Sequence, residues 1–220
     1  MIRLHDVNIG YHNAAPVVTA IDAALPCGTF CCLLGRNGSG KSTLLRTIAG
    51  LQPPLSGDLG VQTSDPMAIV LTQVPDLRQT KVREMVAYGR LRHTGFLGRL
   101  RDRDYTAADR AIALVGLSPL SDRRLDSLSD GERQKTMIAR ALAQETPYLL
   151  LDEPSAFLDY PSRHSLMELL QTLAHEQQKA ILLSTHDVEL AIAYADILWV
   201  LRDGHMEIKK TPQNFRPEEI

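Results

Sequence analysis

The stretch GRNGSGKS, residues 35–42, decides how the rest of the sequence is interpreted. It fits the pattern G-x-x-x-x-G-K-[ST] at every fixed position. The apolar run TFCCLLG (29–35) leads into it and predicts a buried strand, and KSTLLRTIAG (41–50) follows and predicts a helix with Gly50 at its C-terminal end. This context favours a phosphate-binding loop over the alternative, a glycine-rich turn with an incidental lysine.

The chemistry of the loop favours a nucleoside triphosphate. Glycines let the backbone turn tightly, so that its N–H groups form a concave anion site, and the helix presents the positive end of its dipole. Lys41 is expected to reach the β- and γ-phosphates, and the Ser42 hydroxyl is expected to bind Mg²⁺. The predicted ATP-binding residues of the loop are Gly35, Arg36, Asn37, Gly38, Ser39, Gly40, Lys41, Ser42 and Thr43.

A second apolar run, YLLLDE (148–153), ends in two acids. Mg²⁺ prefers hard oxygen ligands, so we predict that Asp152 binds it directly or through water. Glu153 would then face the γ-phosphate as a base or a water-orienting group. Two acids that simply start a loop are the alternative, which the order of the two phosphate-site elements in one chain disfavours.

Two further polar residues follow apolar runs. His186 lies just past the strand in LLSTHD (182–187), where it could hydrogen-bond the γ-phosphate or the attacking water. Gln73 ends AIVLTQ (68–73) and could reach the metal. Taken alone, the first could be an ordinary loop histidine and the second a polar strand end.

Composition narrows the class of protein. A net charge of −2 and 5% aromatic residues argue against a nucleic-acid partner, because neither a basic surface nor a base-stacking platform is indicated. The three clustered cysteines do not resemble a disulfide framework. We expect them to be small residues packed in or near a buried strand. The start MIRLHDVNIGYH lacks an apolar signal core, and no apolar run approaches the roughly 20 residues needed to span a bilayer. Any membrane role is therefore expected to come through a partner.

Strand and helix patterns alternate along most of the chain. Strands are predicted at 2–9, 17–25, 29–35, 67–73, 147–154, 179–185 and in a hairpin over 197–208. Helices are predicted at 41–50, 80–90, 104–115, 130–144, 161–174 and 187–195. This order predicts an α/β fold with a mainly parallel sheet, an antiparallel β portion and an inserted helical subdomain.

The segment SLSDGERQK (127–135) allows two interpretations. Ser129 with Glu132 three residues later predicts a capping box at a helix start. A helix start is also where phosphates bind, yet the carboxylates of Asp130 and Glu132 would repel one. The residues alone leave open whether this segment is only a cap or also part of a nucleotide site.

Seven elements in order resemble the ATP-binding subunits of ABC transporters. They are Tyr11, GRNGSGKS, Gln73, LSDGERQK as the LSGGQ signature, YLLLDE, SAFLD (155–159) as the D-loop, and His186. The resemblance covers nearly the whole chain. It implies a P-loop NTPase whose RecA-like core with an antiparallel β portion comprises 1–75 and 146–220, and whose helical subdomain comprises 76–145, all within one ABC ATPase domain.

The resemblance also implies roles and partners. Tyr11 would stack on adenine, and Ser42, Gln73 and Asp152 would organise Mg²⁺, while Glu153 and His186 would be catalytic. Two subunits would pair head to tail as a homodimer. The roles at the ATP of the partner subunit fall on Ser129, Gly131 and Asp159.

A narrower resemblance concerns the transported solute. VREMVAYGRLRHTGFLGRL (82–100) and LDEPSAFLD (151–159) are similar to the ATPases of iron-siderophore, haem and cobalamin importers, although Arg92 replaces their usual proline. This implies that the chain binds a separate membrane permease and interacts indirectly, through it, with a substrate-binding protein. It also implies a peripheral location on the cytoplasmic face of the inner (cell) membrane. A transporter for another solute is the alternative. A soluble mechanoenzyme acting on nucleic acid or ribosomes is disfavoured, because the chain has one cassette and no coiled-coil insertion.

The helical region also carries a basic stretch, Arg90, Arg92, Arg99, Arg101 and Arg103. It could face the permease or anionic headgroups. The other interpretation, which we prefer, is a solvated face that Asp102 and Asp104 partly neutralise.

Overall fold

The computed structural model describes residues 1–60, 66–71, 79–95, 98–210 and 212–215. The chain divides into two compact units that interleave along the sequence. The core unit comprises Met1–Ile69, Pro147–Glu153 and Met167–Ile220, and the helical unit comprises Val70–Thr146 and Pro154–Leu166. The boundaries 1–75, 76–145 and 146–220 stay a prediction from the sequence.

The described residues contain strands in two sheets. The strands are β1 (Ile2–Ile9), β2 (Val18–Leu25), β3 (Thr29–Gly35), β4 (Ser56–Leu59), β5 (Met67–Val70), β6 (Tyr148–Asp152), β7 (Ala180–Ser184), β8 (Ile197–Arg202) and β9 (His205–Lys209). One sheet has the order β5-β6-β7-β3-β8-β9, and the other has the order β2-β1-β4. The predicted α/β fold with a mainly parallel sheet and an antiparallel portion is confirmed.

The larger sheet has a parallel centre. Strand β3 pairs in parallel with β7 and β8, and β6 pairs in parallel with β7. Every residue of β3 is buried, as a strand covered on both faces requires, and Cys31 and Cys32 lie within it. Trp199 on β8 is fully buried and lies beside Leu33 of β3 in the sheet. The hairpin β8–β9 turns at Asp203 and Gly204, as predicted.

The smaller sheet is antiparallel. Its central strand β1 alternates buried and exposed residues until Asp6, whose backbone has a φ of 48°. The register with β2 shifts between Leu4 and Val7 at this point. The resulting irregularity keeps Val7 and Ile9 buried, so the strand continues to cover the core after the interruption.

The helices are α1 (Lys41–Ile48), α2 (Val82–Ala87), α3 (Asp102–Leu114), α4 (Asp130–Leu142), α5 (Tyr160–Glu176) and α6 (Val188–Tyr194). Helix α1 ends as predicted at Gly50, whose φ is 71°: Gly50 N–H donates to Thr47 O and Leu51 N–H to Arg46 O. Among the residues that the structure describes, no helix has both the length and the apolar character needed to cross a bilayer.

The helical unit contains α2, α3 and α4, and a 3₁₀ helix over Tyr88–His93 continues directly from α2. Our interpretation of the basic stretch is wrong for Arg90. That side chain is buried and donates to Ala143 O and Glu145 Oε2, both at 2.7 Å, with Asp104 Oδ1 3.5 Å away. Asp104 is buried as well, so both side chains lie in the interior of the unit and not on a solvated face.

Gly89 sits where the 3₁₀ helix meets α4. A Cβ placed there would lie 2.3 Å from Arg140 O, which is backbone and has no rotamer to move away. We therefore expect Gly89→Ala to lower the free energy of unfolding by about 1–3 kcal/mol, as overpacking does. Urea denaturation followed by circular dichroism measures the change.

Gly95→Ala is the matched control, because a Cβ at that position would have no heavy atom within 4 Å. We expect its midpoint to stay near that of the unmodified chain. Equal midpoints for both variants would show that the close approach of Gly89 to α4 has no energetic consequence.

Candidate functional site

The predicted phosphate loop lies between β3 and α1. Gly40 precedes the helix with a φ of 103°, which favours glycine, and its carbonyl accepts from Leu44 N–H at 2.8 Å. Lys41 is buried, and its Nζ donates to Gly35 O at 2.8 Å and to Arg36 O at 3.3 Å. A buried ammonium needs such acceptors, so the carbonyls at the start of the loop hold the ammonium group of Lys41 in place.

Two acids lie at the end of β6, which β7 separates from β3 in the sheet. Asp152 is buried, and its Oδ1 accepts from the Ser184 hydroxyl at 2.8 Å. Glu153 follows with a φ of 47°, a left-handed conformation that costs a residue with a side chain about 1–2 kcal/mol. Its N–H donates to Ser184 Oγ at 2.9 Å, so the end of β7 holds both acids.

Glu153 lies between two basic side chains of the core unit. Its Oε1 is 3.5 Å from Lys41 Nζ, and its Oε2 is 3.4 Å from His186 Nδ1. Glu153 is 23% exposed and His186 is 59% exposed, so the group opens to solvent on the histidine side. The arrangement places a carboxylate, an ammonium and an imidazole around one point, a set able to bind an anion and to accept a proton.

A cavity of about 460 Å³ opens beside this group. Tyr11 lines it and is 57% exposed as a residue, a position suited to stacking on a flat ring. The residues that line the cavity are Tyr11, Val17, Asn37, Gly38, Gly40, Lys41, Ser42, Thr43 and Glu153. The hydroxyl of Ser42 and the carboxylate of Asp152 are hard oxygen donors of the kind that Mg²⁺ prefers.

A smaller cavity, of about 150 Å³, lies on another side of the loop. Arg36 and Ser39 line it together with Leu201, Arg202 and Asp203 of the β8–β9 hairpin. Gly35, Arg36 and Ser39 do not line the large cavity. The predicted loop residues that line it are Asn37, Gly38, Gly40, Lys41, Ser42 and Thr43. Gln73 lies outside the described residues.

The remaining predicted residues belong to the helical unit. Ser129 is the N-cap of α4, and a Cβ on Gly131 would lie 3.0 Å from Phe157 O, so the signature contacts the D-loop segment. Asp159 caps α5 through a 3.1 Å bond from Ser162 N–H to its Oδ1. A hydrogen bond from the side chain of Ser162, and to a smaller extent one from its backbone, holds the pKa of Asp159 below its usual range.

The predicted capping box at Ser129 is present. Ser129 Oγ accepts from Glu132 N–H at 3.3 Å, and Glu132 Oε2 accepts from the N–H of Ser129 at 2.8 Å and from its hydroxyl at 2.9 Å. The bond from the Ser129 backbone N–H, and to a smaller extent the bond from its side chain, lowers the pKa of Glu132. Asp130 instead pairs with Arg133, at 2.5 Å between Oδ1 and Nη2.

Sequence reasoning missed Ser184. It is fully buried, it hydrogen-bonds to Asp152 at the end of β6 and to Glu153 directly after it, and the parallel register places it opposite Asp152. The available signal was a hydroxyl at the end of the apolar run AILLS, beside a second apolar run that ends in an acid. Only the pairing of β6 with β7 turns that signal into a contact.

A phosphate loop between a parallel strand and a helix, with an acid at the end of the next strand but one, defines the P-loop NTPase fold. The family model described as ABC transporter matches residues 18–156. The chain therefore belongs to the ABC transporter family. It is an ABC-type ATPase, the ATP-binding subunit of a transporter.

Known relatives agree with this assignment. An uncharacterised ABC transporter ATP-binding protein of Methanocaldococcus jannaschii is 37% identical, over 100% of this chain and 79% of the relative. The ferric enterobactin transport ATP-binding protein of Escherichia coli is 32% identical, over 100% and 84%. A solved structure described as a metal-chelate type ABC transporter in an inward-facing conformation is 28% identical, with a TM-score of 0.89, over 99% of this chain and 86% of that one.

Removing the Ser184 hydroxyl should destabilise the end of the sheet. Ser184→Ala takes one donor from the buried Asp152 carboxylate, and we expect it to lower the free energy of unfolding by about 1–3 kcal/mol. Urea denaturation measures the loss. Ser121→Ala, which removes an exposed hydroxyl bonded to Ser118 O, is the control and should change it by less than about 0.5 kcal/mol. A loss no larger than that of the control would contradict the supporting role of Ser184.

Proposed function

We propose that this chain is the ATP-hydrolysing subunit of an importer for a metal chelate. In this proposal it acts as a homodimer, at the cytoplasmic face of the cell membrane, bound to a separate membrane permease. The observation that carries the ATPase part is the group formed by Lys41, Glu153 and His186 beside the phosphate loop. The importer part is supported by the relatives and by the similarity of residues 82–100 to importers of this subgroup.

ATP would occupy the cavity of about 460 Å³, with its phosphates at the start of α1. The fit rests on the lining: the Lys41 ammonium, the backbone of the glycine loop and the exposed ring of Tyr11. Ser42 and Asp152 would hold Mg²⁺, and Gln73 would complete the set, because their oxygens match its preference. When bound, Mg²⁺ would neutralise part of the charge on the phosphates.

Glu153 would act on the attacking water. In this structure its carboxylate faces Lys41, and an arriving γ-phosphate would replace it as the anion beside that ammonium. The carboxylate would then be available to accept a proton from water. His186, within 3.4 Å of the same carboxylate, would hydrogen-bond the γ-phosphate or orient the water.

Ser129, Gly131 and Asp159 would act across the dimer. Gly131 contacts the D-loop segment within the helical unit, so a partner subunit would meet the signature and the D-loop as one surface. Ser129 and Gly131 would contact the γ-phosphate of the partner's ATP, and Asp159 would connect the two sites. ATP binding would close the dimer, hydrolysis would open it, and the permease would follow these two states.

Glu153→Gln should separate binding from hydrolysis. The amide keeps the shape of the side chain but cannot accept the proton, so we expect turnover to fall by at least about 100-fold while ATP binding persists. Phosphate release measures turnover, and a fluorescent ATP analogue measures binding. Glu189→Gln, an exposed acid in the first turn of α6, is the control and should hydrolyse normally. Normal hydrolysis by Glu153→Gln would exclude the role assigned to that residue.

Uptake by cells should identify the solute. We expect cells that carry only the Glu153→Gln form to lose uptake of a labelled ferric siderophore, haem or cobalamin, while cells with Glu189→Gln keep it. Normal uptake of all three compounds by the Glu153→Gln cells would show that the transporter carries another solute. ATPase activity stimulated by nucleic acid or ribosomes, with no associated permease, would favour a mechanoenzyme instead.

A further inference from the structure

The first turn of α4 carries unusual charge for a surface that meets ATP. The signature LSGGQ has a glycine and a glutamine where this chain has Asp130 and Glu132. The helix dipole supplies only about half a positive charge at this end. Two carboxylates outweigh it, and a triphosphate of the partner subunit would be repelled unless the chain compensates for them.

Glu132 is compensated within the cap. Its carboxylate accepts from the N–H and the hydroxyl of Ser129, and Arg123 and Lys135 add favourable fields. These bonds hold the Glu132 carboxylate against Ser129, where donors compensate its negative charge. Asp130 does not share that arrangement, because its carboxylate is 68% exposed and bonds to Arg133 one turn later.

Arg133 is placed to cancel the charge of Asp130. Helical side chains lean towards the N-terminus of their helix, so a guanidinium at position i+3 reaches back to the first turn. The bond joins Arg133 Nη2 to Asp130 Oδ1, and the arginine is 38% exposed. An exposed pair of this kind contributes little to stability, about 0–1 kcal/mol, so its effect on folding should be small.

We propose that Arg133 is a positioning residue of the signature. Arg133 neutralises Asp130 and fixes its carboxylate, so that Ser129 and Gly131 can bind the partner's triphosphate. This inference rests on the proposed function, because it requires the signature to meet the ATP of a second copy of this chain. Arg133 acts through Asp130 and is not assigned a contact with phosphate.

The test measures ATP-driven dimerisation in the Glu153→Gln background, where hydrolysis does not reverse closure. We expect Arg133→Ala to weaken dimerisation about tenfold, with unchanged binding of a fluorescent ATP analogue by the monomer and an unchanged melting temperature. Arg133→Lys should recover most of the loss, because the charge is kept. Lys209→Ala, which removes a cation paired with Glu207 on β9, is the charge-matched control and should dimerise normally.

The decisive comparison repeats Arg133→Ala in the D130G background. With the carboxylate gone, we expect the arginine substitution to change dimerisation less than twofold. The two backgrounds would then differ at least about fivefold, which corresponds to a coupling of at least about 1 kcal/mol. An equal tenfold loss in both backgrounds, or no loss in either, would overturn the inference while leaving the dimer intact. If Glu153→Gln failed to dimerise with ATP at all, the proposed function would fail, and the inference with it.

Discussion

The parallel pairing of β6, β7 and β3 is the constraint on which the site depends. Asp152 lies opposite Ser184, and Leu33 lies opposite the same residue on the other side. The carboxyl ends of these strands therefore meet at one edge of the sheet, where residues more than a hundred positions apart become neighbours. Side chains alternate between the two faces of a strand, so a shift of one residue in β6 would turn Asp152 away and separate Glu153 from Lys41.

The site combines a satisfied lysine with a strained acid. Lys41 has carbonyl acceptors within the loop, so its charge is compensated although it is buried. Glu153 has a left-handed backbone, an arrangement that persists only where surrounding contacts enforce it. The bond from its N–H to Ser184 is such a contact. The sheet thus maintains an unfavourable local conformation at the residue to which we assign the chemistry.

The sequence predicted those features that depend on residues close together in the chain. The phosphate loop, the capping box of Ser129 and the terminal Gly50 follow from spacings of a few residues, and buried strands follow from apolar runs. Contacts that depend on tertiary structure were not predictable in this way. Ser184 needed the register of two strands, and the burial of Arg90 needed the packing of the 3₁₀ helix beside Ala143 and Glu145. Charge counting along the chain assigns Arg90 to a solvated face instead.

The burial of Trp199 has a consequence for how the two units can be observed. It is the chain's single tryptophan, it is fully shielded from water, and it pairs with Leu33 two positions before the phosphate loop begins at Gly35. The tryptophan fluorescence of this chain therefore originates in the core unit. Helical signals in circular dichroism arise from both units, so the molecule contains one optical reporter specific to the sheet that carries the loop.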